Sequence, residues 1–216
     1  MHQPSTRASV VTRRTYNRPL NEAGTVFETW EQTVDRVIGH QQWLWERAKG
    51  DRLTNYEHAE LRELRQLMLE RKVSVSGRTL WLGGTEIAKS REASQFNCSF
   101  GRIETVHDVV DAFWLLLQGC GVGFEPVVGT LNGFAKPVEV EVWRSEKKLG
   151  DPKGVPYNST ETRFVGGQKV FRLTVGDSAE AWAKALGKIL ALKDPVDRII
   201  LDFREVRAPG VRLKGY

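Results

Sequence analysis

Cysteine is scarce in this chain: two in 216 residues, Cys98 and Cys120. Two cysteines cannot build a disulfide framework, so in a reducing compartment each is either a buried small residue or a reactive thiol. Neither belongs to a CxxC or CxxH pair, and His2, His40, His58 and His107 show no ligand spacing, so no mononuclear metal site is supported. No apolar run approaches the roughly 20 residues of a membrane span. The opening Met1-His2-Gln3-Pro4-Ser5 lacks the basic and apolar regions of a secretory signal. A cytoplasmic chain with no membrane partner is therefore expected. No GxxxxGK[ST] loop is present, and no Ser–His–Asp constellation can be argued.

What remains is an ordinary globular composition: 40% hydrophobic, 27% charged. The length suits one large domain or two small ones. Lys and Arg number 32 against 27 Asp and Glu, a formal charge of +5. Mild basicity of this size fits an anionic ligand without requiring nucleic acid.

Residues 1–20 are polar and basic and predict an extended or frayed arm, docking through Tyr16. Trp30, Val34, Val37, Ile38, Gln41 and Trp45 recur at helical spacing within 27–49, with the tryptophans as core. A second helix is expected over 54–71, with Thr54 and Glu57 as a capping box and Leu61, Leu64, Leu67 and Met68 facing inward. Residues 73–86 suggest strand and loop, and 87–94 a loop. Strands are expected at 97–103, 138–143, 170–175 and 198–203, and helices at 107–117 and 178–192. The later helix would start on an Asp177/Glu180 pair and bury Trp182, Leu186 and Ile189 or Leu190. The near-continuous apolar run of 198–203 predicts a strand buried on both faces. Residues 144–169, rich in Gly and Pro, predict a loop-rich insertion. Helices first, then strands alternating with single helices, favour an α/β architecture with crossover connections.

Two short segments carry the chemistry. Asn97-Cys98-Ser99-Phe100 places a cysteine in a predicted strand. About one helix later, Gly119-Cys120-Gly121-Val122-Gly123-Phe124 offers alternate glycines that let a ligand approach the backbone. A dinucleotide fingerprint needs strand, glycines, helix; here the glycines follow a helix and enter a strand. A redox thiol needs access and a second cysteine. Within this chain that is Cys120, and the bond forms only if the α-carbons lie within about 7 Å. Otherwise the partner thiol is on another chain. Gly77-Arg78-Thr79 and Gly83-Gly84-Thr85 supply groups suited to phosphate oxygens. Arg207, Arg212 and Lys214 form a basic loop with Gly210 as hinge.

Taken in order, these residues resemble the monomeric-type, adenosylcobalamin-dependent (class II) ribonucleoside-triphosphate reductases, in their N-terminal part. The resemblance runs from Arg14-Thr15-Tyr16 and the 30–37 segment through Ser76-Gly77-Arg78-Thr79-Leu80-Trp81, Gly84-Thr85-Glu86 and Asn97-Cys98-Ser99-Phe100. It continues through Gly121-Val122-Gly123-Phe124 and the 177–182 segment to Ile200-Leu201-Asp202-Phe203.

It implies N-terminal helices (1–75), then the first part of a ten-stranded α/β barrel (76–216) with an effector-loop region and an insertion around 144–169. It also implies radical reduction of ribonucleotides to deoxyribonucleotides. Cys98 would be the N-terminal member of the redox pair. Thr79, Asn97, Cys120 and Gly121 would lie beside the substrate, Cys120 without a catalytic role because relatives often have glycine there. Residues 127–136, with Gly129, Thr130 and Lys136, would form one effector loop, and 207–216, with Arg207 and Arg212, the other. The segment between Phe100 and Asp111 is shorter than in the monomeric prototype.

The family's radical cysteine, second redox cysteine and most cobalamin contacts are expected after Tyr216. The chain is therefore expected to work with a C-terminal reductase fragment or subunit, adenosylcobalamin, a ribonucleotide, a deoxynucleotide effector and a thioredoxin-type or dithiol reductant. Alone, it would leave the 198–203 strand with an open edge or face, be poorly soluble and bind hydrophobic dyes. The competing readings are a basic nucleic-acid-binding module and a regulatory nucleotide binder without turnover.

Overall fold

A computed structural model of the chain describes residues 4–21, 23–129 and 137–211. Contacts divide it into two compact units, residues 1–97 and 98–214. Among the described residues no helix is long and apolar enough to cross a membrane.

The first unit is helical. Residues expected as an extended arm instead form α1 (Thr6–Val11), which continues as a π-helical turn over Thr12–Tyr16. The Ser5 hydroxyl accepts from Ala8 N and supplies the cap that the basic composition obscured. α2 (Trp30–Lys49) and α3 (Asn55–Leu69) form as expected, each behind a capping box: Thr29 with Gln32, and Thr54 with Glu57. Val34, Val37, Met68 and Leu80 make the core, packed by Tyr16, Trp30, Ile38 and Leu64. Tyr16 thus docks as anticipated, and Trp30 also donates its indole N–H to Met68 O at 3.1 Å.

Two further expectations fail here. Residues 77–82 form α4 (Gly77–Leu82) rather than strand, because Ser76 caps it and Leu80 and Leu82 turn inward. Residues 86–90 form α5, capped by Thr85, followed by a 3-10 turn over Glu92–Gln95.

His40, 3% exposed, stacks on Trp43, and its Nδ1 has no partner among the described residues. Burial lowers its pKa below the ordinary histidine value, and nearby Lys89 and Arg36 add to the effect. Folding therefore favours the neutral ring. The stability this contributes is complete above the unfolded value of about 6.5 and is lost as pH falls through the lower folded value. The melting temperature should accordingly drop on going from pH 7.5 to 5. In His40→Phe that part of the slope should disappear, which thermal melts across the range will check.

The second unit is α/β. β1 (Cys98–Ile103), α6 (Val106–Leu117) and β2 (Gly121–Pro126) form a crossover unit whose strands run parallel. α6 opens on Thr105, boxed with Asp108. A four-stranded sheet follows, in the order β3 (Glu139–Trp143), β6 (Arg198–Asp202), β5 (Gln168–Thr174) and β4 (Ser159–Val165). β3, β6 and β5 are parallel, and β4 is antiparallel to β5. α7 (Ala179–Leu190) carries Ala185 and Ile189 into the core made with Phe171, Leu173, Val196 and Ile199.

Three further expectations change. Residues 144–169 are not simply a loop-rich insertion: β4 lies within them. It turns into β5 at Gly166-Gly167, both at positive φ, which suits a tight hairpin. The α7 cap is Ser178, whose hydroxyl accepts from Ala181 N, because Asp177 is engaged elsewhere. Trp182 is 37% exposed, and the buried positions of α7 are Ala181, Ala183 and Ala185.

β6 is buried on both faces as expected, Ile199 at 1% and Ile200 at 8% exposed. Yet it has no open edge, since β3 and β5 flank it. The described strands form sheets of two and four.

Candidate functional site

Side chains alternate across a strand, and β1 shows that alternation: Cys98, Phe100 and Arg102 are exposed, Ile103 buried. α6 packs on the face carrying Ser99, Gly101 and Ile103, leaving the Cys98 face open. In register, Cys98 pairs with Gly121 and Phe100 with Gly123. The glycines flatten that open face: a Cβ on Gly123 would stand 3.1 Å from the Phe100 ring. Beside the exposed thiol, Gly121 leaves backbone that a ligand can reach, whereas the Phe100 ring lies over Gly123.

Cys120 lies on the other face. It is 3% exposed, with Sγ 3.5 Å from both Ser99 Oγ and Gly121 O. Both cysteines are free. The segments are adjacent, as an internal disulfide would require, but the two thiols belong to opposite faces.

Thr79 and Asn97 lie in the first unit and meet through Arg78. The Thr79 backbone N–H donates to Ser76 Oγ, and the two hydroxyls are 3.0 Å apart. Arg78, next along, donates to Asn97 Oδ1 at 2.9 Å and to Ser94 O at 3.2 Å. The guanidinium read as a phosphate ligand is thus at least partly committed to positioning Asn97.

Of the expected effector residues, Gly129 lies in a turn at φ 86° shortly after β2. Arg207 donates to Asp177 Oδ1 at 2.8 Å and to Asp177 O at 3.1 Å. Thr130, Lys136 and Arg212 lie outside the described residues.

Sequence reasoning missed a charged cluster at the C-terminal end of β6. Asp202, 1% exposed, accepts from Arg172 and Arg204, and both guanidiniums sit over the Trp143 ring, at 4.8 and 4.5 Å from its centroid. Burial pushes the Asp202 carboxyl up, but the bonds from Arg204 and Arg172 outweigh it and hold it well below the ordinary carboxylate range. An acid ending an apolar strand with Arg two residues on was the available signal; Arg172 and Trp143 come from distant strands. Among the described residues, no three His, Cys, Asp or Glu side chains converge to hold a metal ion.

Comparison with known proteins shows what the chain is similar to. Residues 2–85 match the ribonucleotide reductase alpha domain family. More narrowly, the chain is similar to adenosylcobalamin-dependent ribonucleoside-triphosphate reductases. The Lactobacillus helveticus protein is 26% identical, over 96% of this chain and 33% of its own length. The Lacticaseibacillus paracasei protein is also 26% identical, over 96% of this chain and 32% of its own. The fold matches a crystal structure of a B12-dependent (class II) ribonucleotide reductase with a TM-score of 0.72, at 20% identity, covering 96% of this chain and 34% of that one. The resemblance seen in the sequence motifs is borne out, and the chain spans about a third of the length of the relatives it matches.

Proposed function

We propose that this chain is the N-terminal part of a class II ribonucleotide reductase, supplying one redox thiol and part of the nucleotide seat. The observation that carries this reading is the exposed Cys98 in register with Gly121, on the open face of a unit similar in fold to those reductases. Reduction at C2′ needs two electrons and two protons. Cys98 and a cysteine from the remainder of the enzyme would each give up one electron and one proton and join as a disulfide, while the 2′-hydroxyl leaves as water. A thioredoxin-type protein or small dithiol would then reopen the disulfide by exchange.

Gly121 would let the sugar lie close to the backbone, and Cys120 would back the strand without reacting. Asn97, oriented by Arg78, and Thr79 would contribute polar contacts to ribose and phosphate. Gly129, Thr130, Lys136, Arg207 and Arg212 would form the effector loops, through which a bound deoxynucleotide selects the base. Residues 1–75 would be the N-terminal helical region and 76–216 the first part of a ten-stranded barrel, the insertion around 144–169 included. The remaining strands would come from the segment or partner that completes it.

Adenosylcobalamin, on which the relatives' names say they depend, would supply the radical that starts the reaction. As the family resemblance implies, most of its seat would lie in the completing part, and this chain's role would be on the substrate side.

Combined with that remaining part, adenosylcobalamin, a ribonucleotide and excess dithiol, the chain should support deoxynucleotide formation over many turnovers. Absence of product from a soluble, assembled complex would overturn the reading.

A further inference from the structure

The four residues that follow β6 and Phe203 are each held by a different partner. Arg204 is clamped to Asp202. Glu205 receives Lys147: the ammonium donates to Glu205 O at 3.3 Å and lies 3.7 Å from its carboxylate, which also accepts from Val155 N at 3.3 Å. The Ser145 hydroxyl donates to Val206 O at 2.7 Å. Arg207 is held by Asp177.

The contacts to Glu205 and Val206 come from one stretch, residues 145–155. That stretch is shaped to fit. A Cβ on Gly154 would collide with Glu205 O and stand 2.7 Å from Glu205 C, so only glycine lets the two backbones close. Just beyond, the stretch is tied to the start of α7: Asp177 N donates to Val155 O at 2.8 Å and Ser178 Oγ to Pro156 O at 2.6 Å. It crosses from the β6 turn to the helix cap as a strap. Past Arg207, Ala208 is buried, Val211 N reaches Ala208 O at 3.4 Å, and Gly210 stands at φ 83°.

We propose that residues 145–155 form a positioning strap that sets the conformation of the 204–211 segment, with Lys147 and Glu205 as positioning residues for effector-dependent substrate choice. The strap stands on the contacts above. Its link to effectors rests on the reading of this segment as an effector loop. A segment pinned at its root transmits a displacement at its tip only through that root.

Two measurements on the 216-residue chain separate these parts. The first is amide hydrogen exchange in the native chain, in Lys147→Met and in Ser145→Ala/Lys147→Met. The Val206 and Val211 amides should exchange about ten-fold faster or more in the double variant, with Ile199–Leu201 in β6 unchanged. Unchanged exchange over 204–211 would overturn the strap. Should β6 amides accelerate in the double variant, Lys147→Met alone decides by the same criterion.

The second is titration with each deoxynucleoside triphosphate, followed by protection of 204–211. Native chain should be protected. The double variant should need about ten-fold more nucleotide, and Lys147→Arg, which keeps the cation, should recover most of the loss. No protection in the native chain would sink the effector reading while leaving the exchange result for the strap intact. Equal affinity in native and double variant would remove Lys147 and Glu205 from effector response.

Discussion

Cys98→Ser is expected to abolish sustained deoxynucleotide production by the completed enzyme, with a loss on the order of a thousand-fold or more, as for removal of a group that reacts covalently. A serine hydroxyl cannot be oxidised to the disulfide whose formation supplies the two electrons. Cys120→Ala makes the control. That thiol is buried on the helix-covered face, 3.5 Å from Ser99 Oγ, so its loss should trim stability slightly and leave turnover within about two-fold. The measurement is product per complex under excess dithiol, over many turnovers. If Cys98→Ser keeps pace with the native chain, the exposed thiol is not an electron donor. If Cys120→Ala fails as badly while folded, the two faces of β1–β2 have been assigned the wrong way round.

This site was legible in the sequence because its signals are local. The alternation of 97–103, the apolar helix after it and the glycines before Phe124 lie in one stretch, and a parallel crossover joins them with few alternatives. Capping boxes at Thr54 and Asp177 illustrate the limit. Thr54 capped α3 as read, its hydroxyl accepting from Glu57 N. Asp177 did not cap α7, because Arg207, 30 residues on, takes its carboxylate and leaves the cap to Ser178.

α4 and α5 were missed for a related reason. A five- or six-residue helix is too short to show a period, and Gly77, Gly83 and Gly84 suggested loop, whereas tertiary burial of Leu80, Leu82 and Ala88 decided the outcome. The Asp202 cluster left only its acid and the nearby Arg204 in one stretch of sequence, because Arg172 and Trp143 come from other strands. The open edge expected for β6 vanished because β3 and β5 both pair with it, and register between distant strands is not written in either one.

The largest stability effect is expected at Arg36. Its guanidinium joins segments far apart in the first unit. It donates to Glu28 Oε1 at 2.8 Å and Oε2 at 3.0 Å, to Leu80 O at 3.0 Å, to Tyr16 O at 3.3 Å and to Gly83 O. Side-chain exposures are 13% for Arg36 and 8% for Glu28, so water cannot replace the lost partners. Glu28 also accepts from Thr33 Oγ1 and Arg18 N. Burial pushes its carboxyl up, but the bonds from Arg36, Arg18 and Thr33 outweigh that and hold it below the ordinary carboxylate range.

Arg36→Met keeps the aliphatic stem but strands a buried carboxylate and several carbonyls. The cost should be about 3–5 kcal/mol, a large share of a typical domain's stability. Arg47→Ala, which breaks an ion pair with both partners about half exposed, should cost no more than about 1 kcal/mol. Denaturant titrations that follow the first unit will rank the two. Because the Glu28 pKa is lowered on folding, its share of stability is present above the unfolded value of about 4.5 and is lost as pH falls through the folded one. The gap between native and Arg36→Met should therefore narrow in acid. A gap independent of pH, or a midpoint no lower than that of Arg47→Ala, would mean that the packing of Val34, Val37 and Met68 holds the unit without this ion pair.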